Sequence, residues 1–192
     1  MKMEVSAMFT KSLPVAILAL VLLVVVPGEF ATADAAKSVP KFGKAITPEA
    51  AAKWDLSVFP DGAGLPVGHG TAAQGEKLFE EKCAVCHGPE GIGASAEELR
   101  GGKTEDLSGA SPDKNIGAYW PFATTLFDFT RRAMPMTAPG SLSADEVYAV
   151  TAYMLHVNGI IGKEDEMTRD TLPKVNMPNR DGFIWIDAKK PR

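Results

Sequence analysis

The sequence predicts an all-α domain of modest size, flanked by long irregular segments at both ends. Two observations carry this. Three stretches, 71–82, 120–132 and 141–158, combine helix-start residues with apolar side chains at helical spacing. Around them, 18 glycines and 14 prolines in 192 residues interrupt regular structure. Hydrophobic content of 45% and charged content of 23% suit a globular protein. The formal charge of −4 supplies no basic surface, so a nucleic-acid partner is not expected.

Residues 1–33 read as an export signal. Lys2 and Lys11 precede an apolar run from Leu13 to Val26, Pro27-Gly28 breaks it, and Ala31-Thr32-Ala33 offers small residues for cleavage. A run of 14 residues is short for a bilayer, which needs about 20. The rival reading is an uncleaved anchor, the one case in which a membrane is expected. Either way the rest of the chain is expected outside the cytoplasm, in the periplasm. Residues 34–69 form an N-terminal extension. Thr47-Pro48-Glu49 is a short helix start, with Thr as cap and Pro at the first helical position. Phe59 to Gly64 is a turn-rich loop. The segment reads as a strap lying on the domain.

The domain itself spans 70–160. In the helix 71–82, Leu78 and Phe79 are the bulky apolar residues. Gly75 lies inside it at a cost of about 1 kcal/mol relative to alanine, so something is expected to approach closely there. Residues 94–100 are a further helix candidate. Trp120 to Arg132 places Phe122, Leu126 and Phe129 on one face, and Met134-Pro135-Met136 breaks it. The helix 141–158 has Ser143 as cap and Glu146 three residues on, the capping-box pattern. Val147, Val150, Tyr153 and Met154 form its apolar face, and Asn158-Gly159 stops it. The extension 161–192 is polar, with one apolar patch, Phe183-Ile184-Trp185-Ile186.

The chemistry lies in Cys83-Ala84-Val85-Cys86-His87. The chain has two cysteines, so a disulfide framework is not expected. C-x-x-C-H is the attachment signature of a c-type haem. Two thiols three residues apart reach both vinyl groups of one porphyrin, and the adjacent histidine is carried to the iron as an axial ligand. Bare C-x-x-C also occurs in thioredoxin-like redox pairs and in half zinc sites. No second ligand pair accompanies it here, since the remaining histidines are His69 and His156, and the surroundings are helical rather than βαβ. One such motif implies one covalently attached haem, carrying one electron. The sixth ligand is expected from Met134, 47 residues after His87. Met136 is the near rival in the same turn; His69 and His156 are weaker candidates.

These residues resemble a known family. Gln74-Gly75-x-x-Leu78-Phe79, then the haem motif with Gly88, then Met134-Pro135 and a capped helix containing Ala152-Tyr153, are similar to the class I cytochrome c fold over about residues 70–160. The resemblance implies that the first helix crosses the last at Gly75, with Phe79 against Val150 and Tyr153. A longer set resembles the SoxD-like cytochrome subunit of Sox sulfane dehydrogenase and of related sulfite dehydrogenases. It comprises Trp54-Asp55-Leu56, Pro60-Asp61-Gly62-x-Gly64-Leu65-Pro66, Ile116-Gly117-x-Tyr119-Trp120-Pro121-Phe122-Ala123-Thr124-Thr125, Arg131-Arg132-Ala133-Met134-Pro135, Gly140-Ser141-Leu142-Ser143-x-Asp145-Glu146-Val147-Tyr148-Ala149 and Met177-Pro178-Asn179-Arg180-Asp181-Gly182-Phe183. The chain carries one haem motif where some relatives carry two.

What the resemblance implies is an electron-transfer subunit. A molybdopterin-containing dehydrogenase subunit would oxidise a sulfur compound, and this haem would pass the electrons singly to a downstream cytochrome or oxidase. Tyr119 and Trp120 are candidates for the haem pocket wall, with the Trp120 N–H offered to a propionate; plain packing is the alternative. Arg131 and Arg132 would face propionates or an acidic partner, or else complement a helix end. Both extensions are expected to wrap the partner. The competing functions are a free-standing soluble carrier and a haem enzyme with an open iron site.

Overall fold

The computed structural model describes residues 43–102, 104–109 and 112–184. The expected signal segment and Trp185-Ile186 of the tail patch lie outside them. The elements below all belong to the unit that starts at Ile46.

Among the described residues, five α-helices and one small sheet make up the fold. Helix α1, Pro48–Ala52, starts as the sequence predicts: Thr47 Oγ1 accepts the Ala50 N–H and Pro48 takes the first helical position. Helix α2, Ala72–Lys82, is capped by Thr71, whose hydroxyl accepts from the Gln74 amide while Gln74 returns the bond. Helix α3 is a single turn, Ala84–His87. Helix α4 runs Ala123–Ala133, and α5 runs Ala144–Val157 with the Ser143/Glu146 capping box in place. Among the described residues, no helix is long and apolar enough to cross a membrane.

The frame is the α2–α5 crossing. A Cβ at Gly75 would stand 1.9 Å from the Ala149 carbonyl oxygen and 2.8 Å from Tyr153 Cβ, so the two backbones meet there. Phe79 stacks against Tyr153 at 5.3 Å, inside the cluster that also holds Val150. Burying each such aromatic contributes about 2 to 3 kcal/mol. On the other side of α5, Phe127 of α4 lies 4.5 Å from Tyr148, both fully buried.

Three features differ from expectation. First, the all-helical reading missed a two-stranded antiparallel sheet: β1, His69–Thr71, pairs with β2, Glu166–Thr168. At three residues each, the strands are too short to show an alternating pattern. Second, residues 94–100 are not a helix. Their amides serve other carbonyls: Ala96 N–H reaches Cys86 O, and Leu99 and Arg100 N–H both reach Gly91 O. Third, α4 buries Phe127, while Phe129 is 46% exposed. The helix begins at Ala123, so its inner face follows Ala123, Leu126, Phe127 and Thr130 at i, i+3, i+4 and i+7.

Both terminal segments pack on this frame. Val58 and Leu65 enter the core from the strap, and Met167, Leu172, Val175 and Met177 enter it from the other end. Val58 N–H donates to Asp128 Oδ1 at 2.9 Å, and Tyr148 Oη donates to Pro66 O at 2.9 Å. Burial pushes the Tyr148 phenol up to about 12, so it stays a donor. Asn179 Nδ2 donates to Tyr119 O at 2.7 Å. Much of the surface expected to wrap a partner is thus turned onto the chain's own core.

Candidate functional site

Cys83 caps α2 and opens α3; Cys86 and His87 complete α3's single turn. The turn is closed by Cys86 N–H and His87 N–H, both donating to Cys83 O at 3.1 and 3.0 Å. Gly88 then leaves at φ +72, and a Cβ there would stand 2.5 Å from Gly93 O, so a side chain at this position would displace the loop. The three motif residues are therefore held as one rigid unit, all half-buried.

The loop after α3 fixes the histidine. Its chain doubles back so that Gly93 N–H donates to His87 O at 2.7 Å. This brings the Glu97 carbonyl 3.0 Å from His87 Nδ1. A carbonyl only accepts, so Nδ1 carries a proton, and in the neutral imidazole Nε2 is the nitrogen with the lone pair. The loop is in turn held by Asn158, the C-cap of α5: its Oδ1 accepts Gly101 N–H at 3.0 Å and its Nδ2 donates to Leu99 O at 3.4 Å, while the bond from Nδ2 to Met154 O at 2.8 Å fixes the side chain on its own helix. Sequence reasoning missed Glu97 because its contribution is a backbone oxygen. It saw Asn158 merely as a helix stop.

Burial raises the Cys83 thiol to about 11, against the pull of Lys82. At neutral pH the side chain on its own is therefore a thiol. Among the described residues, no group of three or more histidine, cysteine, aspartate or glutamate side chains is placed to hold a metal ion. The turn itself offers two thiols and one imidazole whose Nδ1 is already engaged, and that set fits a c-type haem.

Met134 belongs to a different element. It caps the C-terminus of α4 in an extended conformation and its N–H donates to Thr130 O at 3.1 Å. It is half-buried, whereas Met136 is 76% exposed. His69 lies on β1, exposed, with its N–H on Asp145 Oδ1 at 2.8 Å. His156 is half-buried in the last turn of α5, and its Nδ1 lies 3.2 Å from Ile161 O.

Other candidates are engaged within the chain. Trp120 Nε1 donates to Lys114 O at 2.9 Å, and its ring meets Phe129 edge-on. Tyr119 meets Phe183 edge-on at 5.4 Å. Arg132 pairs with Asp128, and Arg131 Nη1 donates to Leu56 O at 3.5 Å.

Comparison with known proteins gives the following. The family model described as cytochrome c matches residues 72–158. The thiosulfate dehydrogenase of Stutzerimonas stutzeri is 35% identical over 89 residues, and that of Psychrobacter arcticus is 35% identical over 85. These alignments cover 46% and 43% of this chain but span about a quarter of those proteins, 28% and 25%. A chain in the crystal structure of the sulfane dehydrogenase SoxCD from Paracoccus pantotrophus is 36% identical, with a TM-score of 0.70, covering 77% of this chain and 73% of that one.

Proposed function

Because this chain belongs to the cytochrome c family and is similar to a chain of sulfane dehydrogenase SoxCD, we propose that it is the electron-transfer subunit of a sulfur-oxidising dehydrogenase. One haem c, bound through thioethers at Cys83 and Cys86, would supply reversible one-electron chemistry. His87 Nε2 and the Met134 thioether would hold its iron. The observation that carries this reading is the His87 Nδ1 to Glu97 O contact on the C-x-x-C-H turn. It leaves Nε2 as the ring nitrogen that would hold the iron, and holds the ring against rotation. Met134 is preferred to Met136 because it is half-buried at a helix end, while Met136 is exposed. The electron donor would be a molybdopterin subunit acting on sulfite or a sulfane compound, and the acceptor a downstream cytochrome or oxidase. Export to the periplasm through residues 1–33 belongs to the same reading, since haem attachment takes place outside the cytoplasm.

Co-purification tests it. A molybdopterin protein should arrive with the pigment, and sulfite or thiosulfate should then reduce the haem. Pigment that arrives alone and is reduced by neither points to the second reading, a free-standing carrier. That reading is favoured by one observation: both terminal segments bury apolar residues on the chain's own core.

A further inference from the structure

We propose that Asp128 and Arg131 are positioning residues for the Met134 thioether. From α4 they grip the backbone of the 56–58 strap, and this grip fixes the helix end at which Met134 sits. The inference rests on the reading of Met134 as the sixth ligand.

A helix of 11 residues is marginal alone, and its last turn leaves carbonyls without helical partners. Here Pro135 forbids another turn, and the cap residue Met134 is extended rather than in the left-handed form that usually closes a helix. The core does not reach this end: Leu126, Phe127 and Thr130 are buried, but Arg131 and Ala133 are half-buried and Arg132 is exposed. Restraint of the last turn therefore falls on its polar contacts. Asp128 is 8% exposed, and a carboxylate so placed is costly unless both oxygens are satisfied. Its Oδ1 accepts Val58 N–H at 2.9 Å and its Oδ2 pairs with Arg132. Arg131 Nη1 adds a second tie to the same strap, at Leu56 O. Strap and helix end are thus joined at two points, one and two turns before the methionine.

The test uses the ferric holoprotein titrated with imidazole. Displacement of methionine is read from the methionine–iron charge-transfer band, and far-ultraviolet circular dichroism is recorded in parallel. Losing a charged buried hydrogen bond should raise the methionine-off population, and with it the apparent imidazole affinity, about tenfold in Asp128→Ala. The dichroism should not change. Asp128→Asn keeps an acceptor for Val58 N–H and should recover most of the wild-type affinity. Arg131→Met should move the same way by less, and it carries the test if Asp128→Ala does not fold. An unchanged imidazole affinity in these variants, or equal effects of Ala and Asn at 128, would overturn the proposal. A wild-type protein without the band defeats the Met134 reading itself, and shows this before any variant is made.

Discussion

His87 illustrates how one contact sets a residue's chemistry. Its Nδ1 faces an oxygen that can only accept, so the tautomer is decided by the loop and not by the ring. The same logic separates the two methionines. Met134→Ala should abolish the methionine–iron band, and Met136→Ala should leave it intact, since Met136 lies exposed beyond Pro135. The reverse result would move the ligand to 136. Glu146 offers a residue-scale test of stability. Its carboxyl is held below the usual range by the Ser143 N–H first and then by Lys82. A lowered folded-state value stabilises above the ordinary carboxylate range, and the gain is lost as pH falls through the lowered value. Glu146→Gln should therefore lower the unfolding free energy at neutral pH, by well under 1 kcal/mol for so exposed a group. The difference from wild type should close on acidification. A constant difference across the pH range would refute this account.

Elements are legible in the sequence where a side chain announces them. Helices α1, α2 and α5 begin at Thr47, Thr71 and Ser143, and each hydroxyl accepts the amide three residues on. Helix α4 lacks such a signal, because Phe122 occupies its cap; reading its start from Pro121 rotated the inner face and put Phe129 in place of Phe127. The sheet and the 94–100 loop are written in long-range backbone bonds, which no local pattern encodes. Gly75 is legible because its cost demands a reason, and the α2–α5 contact supplies it. Gly75→Ala should destabilise by about 1 to 3 kcal/mol, the usual cost of overpacking, despite alanine's better helix propensity. Ser143→Ala should cost about 1 kcal/mol through the lost cap. Chemical denaturation of both holoproteins checks these values. A Gly75→Ala protein as stable as wild type would mean that the crossing is looser than 1.9 Å implies.

For the molecule as a whole, the question is how two extensions serve both a core and a partner. Met167, Leu172, Val175 and Met177 lie in a polar stretch without periodicity, so the sequence gives no sign that they are core residues, yet all are buried. Removing a buried Met or Leu costs about 2 to 5 kcal/mol, and a domain has about 5 to 15 in total. Deleting residues 166–192 should therefore prevent folding, whatever becomes of any partner. A cut at 177 still removes Met177 and the Asn179 tie to Tyr119. It would confuse a weak complex with a weak fold. The informative cut starts at Ile184, which is 90% exposed. Deleting 184–192 should leave the haem spectrum unchanged and the unfolding free energy within the usual range for surface changes, about 0.5 kcal/mol. If the tail contacts the dehydrogenase subunit, this truncation alone should lower the amount of that subunit retained on purification. Full retention by the truncated protein would assign the tail no part in assembly and leave docking to the surface around the haem motif.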